Sequence, residues 1–158
     1  MTEWCHNELE VSVKVGENSD EYEVAVQQFE ELIAAFELAV ARDSSLLQVT
    51  VPMPEDVSGI SDVLAREVLP DQEKGHLFTL IAEARSNEEK WRLRFWGVQG
   101  DVDGLSFEIN DDETLYASFE SAWVPPDMWL RAMRKKYPLL EFHLFYHEVV
   151  RRLAGYVT

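Results

Sequence analysis

Glu8-Leu9-Glu10-Val11-Ser12-Val13-Lys14-Val15 alternates polar and apolar residues without a break. A period of two marks a strand with one face buried and the other in water. Leu9, Val11, Val13 and Val15 are expected to face a core, and Glu8 and Glu10 to face solvent. Gly16 to Ser19 reads as a turn, after which the period changes. Tyr22, Val26, Phe29, Ile33, Phe36 and Val40 recur at intervals of four and three. That spacing predicts one long amphipathic helix over 20–41, opened by Ser19 or Asp20 with Glu23 completing a capping box.

The last third is equally regular. Leu105 to Ile109 and Leu115 to Ala122 read as strands joined by a hairpin loop at Asn110 to Glu113. Pro125-Pro126-Asp127 opens a helix over 126–137 that carries Trp129, Leu130 and Met133. Arg131, Arg134, Lys135 and Lys136 load its last turns, where cations suit the helix dipole. Leu140 to Tyr146 reads as the final strand. Residues 43–95 read as a mostly helical insertion. Within it Leu46 to Val51 is a candidate short strand, Asp62 to Leu69 a short helix, and Leu77, Ile81 and Ala84 share one helical face. Ser86 with Glu89 forms a second capping box leading to Trp91 and Phe95. The order β-α-(insertion)-β-β-α-β predicts an α+β fold, a ferredoxin-like antiparallel sheet with its helices on one face and its first and last strands adjacent and central. At 158 residues the chain is expected to form a single domain, 1–158.

Composition narrows the function classes. Thirty acids against fourteen lysines and arginines give a formal net charge of −16. The excess is lopsided: residues 1–90 hold twenty acids and six bases, residues 91–158 ten and eight. Such a surface repels phosphate backbones and anionic membranes and favours basic partners. No apolar run is long enough to span a bilayer, and Met1-Thr-Glu-Trp-Cys5 lacks the basic and apolar regions of a signal peptide. With Cys5 as the single cysteine no internal disulfide can form, which fits a reducing cytoplasm.

No constellation speaks for chemistry. His143 and His147, four apart on a strand, are separated by about 13 Å, too far to share one ion even if His6 or Glu8 supplied a third ligand. Asp101-Val-Asp103-Gly104 has its glycine at the fourth position, not the sixth that a calcium loop requires. Cys5 and His6 are neighbours on a strand and point to opposite sides, so His6 is a poor base for the thiol. No nucleophile elbow, phosphate-binding loop or dinucleotide fingerprint is present. Alternation puts Trp4, His6, Glu8, Glu10, Tyr116, Ser118, Glu120, His143, Phe145 and His147 on the open sheet face. Aromatics there could stack on bases, but three glutamates would confront the phosphates. The expectation is no enzyme activity, no cofactor, no metal and no direct nucleic-acid binding.

Glu3-Trp-Cys-His-Asn-Glu-Leu9, Val51-Pro-Met-Pro-Glu55, Phe95-Trp-Gly-Val-Gln-Gly-Asp-Val102, Phe119-Glu-Ser-Ala-Trp-Val-Pro-Pro126, and Tyr137-Pro138 with Phe145-Tyr-His-Glu148 occur in this order. As a set they resemble the YubB-type ferredoxin-like domain of phage, prophage and conjugative-plasmid proteins. Gly100 stands where that family carries a second tryptophan, and Val149 to Arg152 replace its glycines. The resemblance implies the fold and a mobile-element origin; the family has no assigned activity, so it implies nothing about mechanism.

The remaining signal is a ladder of charge. Glu23, Glu30 and Glu37 repeat every seven residues, with Glu31 beside them, and span about 20 Å of helix. The i+4 lysines that ordinarily stabilise such a face are missing; Arg42 is the nearby base. These four glutamates are the candidate contact residues. The expected partner is a host protein with a basic nucleic-acid-binding surface, in a bacterial cytoplasm, met by an anti-CRISPR-like or DNA-mimic-like inhibitor. An accessory or structural role within the phage or plasmid is the alternative, and either reading allows a homodimer.

Overall fold

The strand period resolves first. In a computed structural model of the protein, which describes residues 3–66, 81, 84–111 and 113–158, β1 runs from Trp4 to Val13. Cys5, Asn7, Leu9 and Val11 are buried, while Trp4, Glu8 and Glu10 are exposed. The strand begins four residues before the alternating stretch and ends before Val15. β2 (Asp103–Asn110), β3 (Thr114–Ala122), β4 (Leu140–Glu148) and β5 (Leu153–Tyr156) complete a five-stranded sheet in the order β2-β3-β1-β4-β5. All its pairings are antiparallel, and β1 is hydrogen-bonded to β3 on one side and β4 on the other. This is the expected α+β, ferredoxin-like arrangement, with β1 and β4 adjacent inside the sheet. β5 is an addition that the sequence pattern did not indicate.

α1 (Tyr22–Ala41) and α5 (Asp127–Lys136) share the core with the inward side chains of the strands; α2 (Leu46–Thr50), α3 (Ile60–Arg66) and α4 (Asn87–Trp96) lie between α1 and β2 in the chain. Phe29, Leu32 and Phe36 of α1, Trp129 and Met133 of α5, and Trp91 and Trp96 of α4 pack with Leu9, Val11, Leu115, Phe119 and Phe142 in one continuous core. Every described helix therefore packs on the same side of the sheet. The helical segment expected around Leu77 falls outside the described residues, except for Ile81, which is buried, and Ala84, which is half-buried.

Three local expectations need correction. The buried stripe of α1 is Ala25, Phe29, Leu32, Phe36 and Ala39, so the helix is turned from the predicted face and Val40 stands 45% exposed. Ala25 and Ala39 are both fully buried, at the two ends of this stripe. The capping box at Asp20 does not form either. Glu21 is the cap residue without a side-chain bond, and Ser19 Oγ accepts from the Glu21 amide instead. Leu46 to Thr50, read as a strand, is a helix. Asp101, 54 residues on from Leu47, accepts from the Leu47 and Gln48 amides at 2.9 Å each and caps it from a distance. Burial pushes the Asp101 carboxyl above its ordinary range, against the pull of three amide bonds.

The motifs that carry the family resemblance sit in this buried layer and at its rim. Trp129 Nε1 donates to Thr50 Oγ1 and Trp96 Nε1 to the Val51 carbonyl, which ties α2 to α4 and α5. Gly97 ends α4 at φ +82, and a Cβ there would collide with Asp127 Oδ1 at the start of α5. Asn7 Nδ2 donates to Ser121 Oγ at 2.8 Å, and Ser121 donates onward to the Val124 carbonyl. Trp123, at φ 69, is held in the left-handed region from both sides. Its amide donates to the Glu3 carbonyl and its own carbonyl accepts from the Arg151 guanidinium. Such a conformation costs a bulky residue about 1–3 kcal/mol and persists only under that kind of constraint.

Glu148 closes the β4–β5 turn. Only 2% exposed, it accepts from the Val150 amide, the Arg151 amide and Arg151 Nε at 2.8–2.9 Å. Burial alone would raise the carboxyl, but the Arg151 and Val150 bonds outweigh it and the net shift is downward from 4.5. A carboxyl lowered on folding contributes stability that is complete above its unfolded value and lost as pH falls through the folded one. We predict that amide exchange in β5, corrected for the intrinsic rate, accelerates on acidification before exchange in β1 and β3. Glu148→Gln should remove that acid dependence and speed β5 exchange at neutral pH; unchanged β5 protection in the variant would contradict the clamp. A second expectation tests the rotation of α1. Leu32→Ala should cost about 2–5 kcal/mol in urea unfolding, whereas Val40→Ala should stay within about 0.5 kcal/mol.

Candidate functional site

The face of the sheet away from the helices is built in cross-strand rows, because strand register places one residue from each strand side by side. Glu108, Tyr116, Glu10 and His143 form one row. The next is Ser106, Ser118, Glu8, Phe145 and Tyr156. A third holds Glu120, His6, His147 and Ala154. The small pair in the second row, Ser106 and Ser118 with their hydroxyls 3.1 Å apart, lies beside the larger Glu108 and Tyr116. That difference in height opens a groove of about 640 Å³ over the first two rows, within the range of about 300–1,000 Å³ common for ligand sites. Phe145 and Tyr156, with ring centroids 5.3 Å apart, stand at its β5 end.

Electrostatically this face is one-sided. Glu8, Glu10, Glu108, Glu120 and Glu141 project from it, and no strand position of the face carries a lysine or arginine. The basic side chains at its strand positions are the histidines His6, His143 and His147. His6 is bracketed by carboxylates, with Nδ1 2.9 Å from Glu120 Oε1 and Nε2 3.6 Å from Glu8 Oε1. Its ring lies 4.9 Å from that of His147, its partner across β1 and β4. His143 sits two rows away, beside Glu141 at 3.3 Å. His143 and His147 are thus separate, and among the described residues no group of three or more His, Cys, Asp or Glu side chains is placed to hold a metal ion.

All ten open-face positions expected from alternation lie on this face. Alternation would also have assigned Ser106 and Glu108 to it, since Leu105, Phe107 and Ile109 point inward on the same strand. Tyr156 had no such signal, because β5 is only four residues long and lacks a pattern. Cys5 is fully buried on the opposite side, and burial pushes its thiol up to about 11, only partly offset by a bond to Ser121. A thiol at that value is neutral near pH 7 and a weak nucleophile.

Glu23, Glu30, Glu31 and Glu37 are all exposed on the outward side of α1, across the core from the open sheet face. The two acidic surfaces therefore cannot meet one flat partner together. Among the described residues none of the four forms an ion pair with a base, and Val24 and Leu38, at 49% and 42% exposed, follow Glu23 and Glu37 in the chain. Among the described residues no helix is long and apolar enough to cross a membrane.

Comparison with known proteins bears on the fold. No curated protein matches the chain. The crystal structure of a protein api92 from Yersinia pseudotuberculosis is similar at 14% identity and a TM-score of 0.49, covering 99% of this chain and 93% of that one. The C-terminal residues 104–158, which hold β2, β3, α5, β4 and β5, match the family model described as a ferredoxin-like domain in Api92-like protein.

Proposed function

We propose that the protein acts without catalysis, as an acidic binding protein that occupies a basic, nucleic-acid-binding surface of a host protein and inhibits it, with α1 as a contact element. The exposure of Glu23, Glu30, Glu31 and Glu37 along one unneutralised helix face carries this reading. Its magnitude sets a limit on mimicry. Over about 20 Å a DNA duplex presents on the order of twelve charges, and α1 presents four. Charge alone therefore steers the encounter, and exposed Val24 and Leu38 supply the apolar contact that a phosphate backbone lacks. The resemblance of the motif set to YubB-type domains of phage and plasmid proteins supports a mobile-element setting, in which host nucleic-acid machinery, including defence proteins, is the natural target.

The test is retention of bacterial lysate proteins on the immobilised protein, after nuclease treatment, followed by mass spectrometry. Nucleic-acid-binding proteins should be retained, and duplex DNA or a rise in salt should release them, since charge attraction is screened over about 10 Å at 0.1 M. Glu23→Lys with Glu30→Lys and Glu37→Lys should cut retention about tenfold while circular dichroism stays unchanged, because these positions lie off the buried stripe. Retention indifferent to DNA and to the triple reversal would refute the proposal.

A further inference from the structure

The groove on the open sheet face lies across the molecule from α1, and its chemistry selects a ligand independently of what α1 does. We propose that it binds an arginine-bearing segment of a partner protein, with the guanidinium lying against the aromatic rings while Glu8, Glu10 and Glu108 accept its N–H groups. Three observations converge. Among the described residues the groove is lined by these three carboxylates and by no lysine or arginine, so a cation entering it meets charge of opposite sign from β1 (Glu8, Glu10) and from β2 (Glu108), on either side of β3. Tyr116 stands between Glu108 and Glu10, and Phe145 and Tyr156 lie beyond Glu8 at the β5 end, so the carboxylates are flanked by aromatic rings, whose negative quadrupole attracts a cation over the ring face. The floor is the Ser106–Ser118 pair, small enough to admit a planar group and able to accept a hydrogen bond from it.

A guanidinium suits this set better than an ammonium. It is planar, weakly hydrated and carries five donors in a fixed fork, so it can stack and bind carboxylates at once. Bases of a nucleic acid could stack on the same rings, but their phosphates would face the carboxylates with no cation to receive them. The backbone of a strand-like segment crossing the rows would place alternate side chains over the groove, at about 6.6 Å intervals.

The experiment measures fluorescence anisotropy of labelled hexa-arginine, hexalysine and hexaglutamate peptides with the full chain at pH 7.5. Two triple variants with the same change in net charge separate a site from general attraction. Glu8→Lys, Glu10→Lys and Glu108→Lys alter the groove; Glu17→Lys, Glu55→Lys and Glu88→Lys alter exposed positions elsewhere. Hexa-arginine should bind at least about tenfold more tightly than hexalysine, the groove triple should weaken it about tenfold or more, and the remote triple less than about threefold. Ser118→Trp fills the floor without changing charge and should also abolish binding, which guards against misfolding of the groove triple. Equal loss in both triples, equal affinity for the two basic peptides, or full binding by Ser118→Trp would each overturn the proposal.

Discussion

Leu9 and Val11 project from β1 into the core while Glu8 and Glu10 project into solvent, and β1 is hydrogen-bonded along most of its length to both β3 and β4. A strand paired on both sides cannot slip by one residue without turning every side chain of its neighbours over. The alternation of this one segment is thereby imposed on Leu115, Ala117 and Phe119 to one side and on Leu140, Phe142 and Leu144 to the other, all of them buried. Burying a large side chain of this kind contributes about 1.5–3 kcal/mol, so a register shift would forfeit several such terms at once. The helices, the groove and the acidic face all inherit their placement from that constraint.

The same physics explains what could be read in the sequence. Periods of two and of three to four are strong where one face is buried and the other wet, which is why β1, β2, β3, β4, α1 and α5 were legible to within a few residues. The rotation of α1 was not, because alanines at 25 and 39 score weakly as apolar although both belong to the buried stripe. α2 was misread because what stabilises it is remote: Asp101 supplies the cap, and Trp129 reaches the Thr50 hydroxyl. Local pattern carries no trace of a partner fifty or eighty residues away. For the site, alternation placed the open-face residues correctly, and the height difference that makes a groove emerged only once register had set Ser106 beside Ser118.

The acidic residues lie on the two outer faces of the molecule, and several motif residues lie in the layer between them. The motif residues Asn7, Trp96, Gly97, Ser121, Asp127 and Glu148 hold the layers together, so their resemblance to a family reports the scaffold. The carboxylates of α1 and of the open sheet contribute nothing to the core and are at liberty to answer to a partner. A chain organised this way can change what it binds while its buried layer stays fixed.

The β5 strand matters for a reason unrelated to binding. It covers the outer edge of β4, whose sequence Leu-Glu-Phe-His-Leu-Phe-Tyr-His-Glu is rich in residues that favour strands. An uncovered edge of that kind is a template for pairing with another chain. The turn holding β5 in place depends on an ionised Glu148, and the chain's charge falls toward zero at a pI of about 4.5. Mutual repulsion is therefore weakest near the pI, where the lowered Glu148 carboxyl still holds β5 over the edge, so the two safeguards against edge-to-edge pairing do not fail at the same pH.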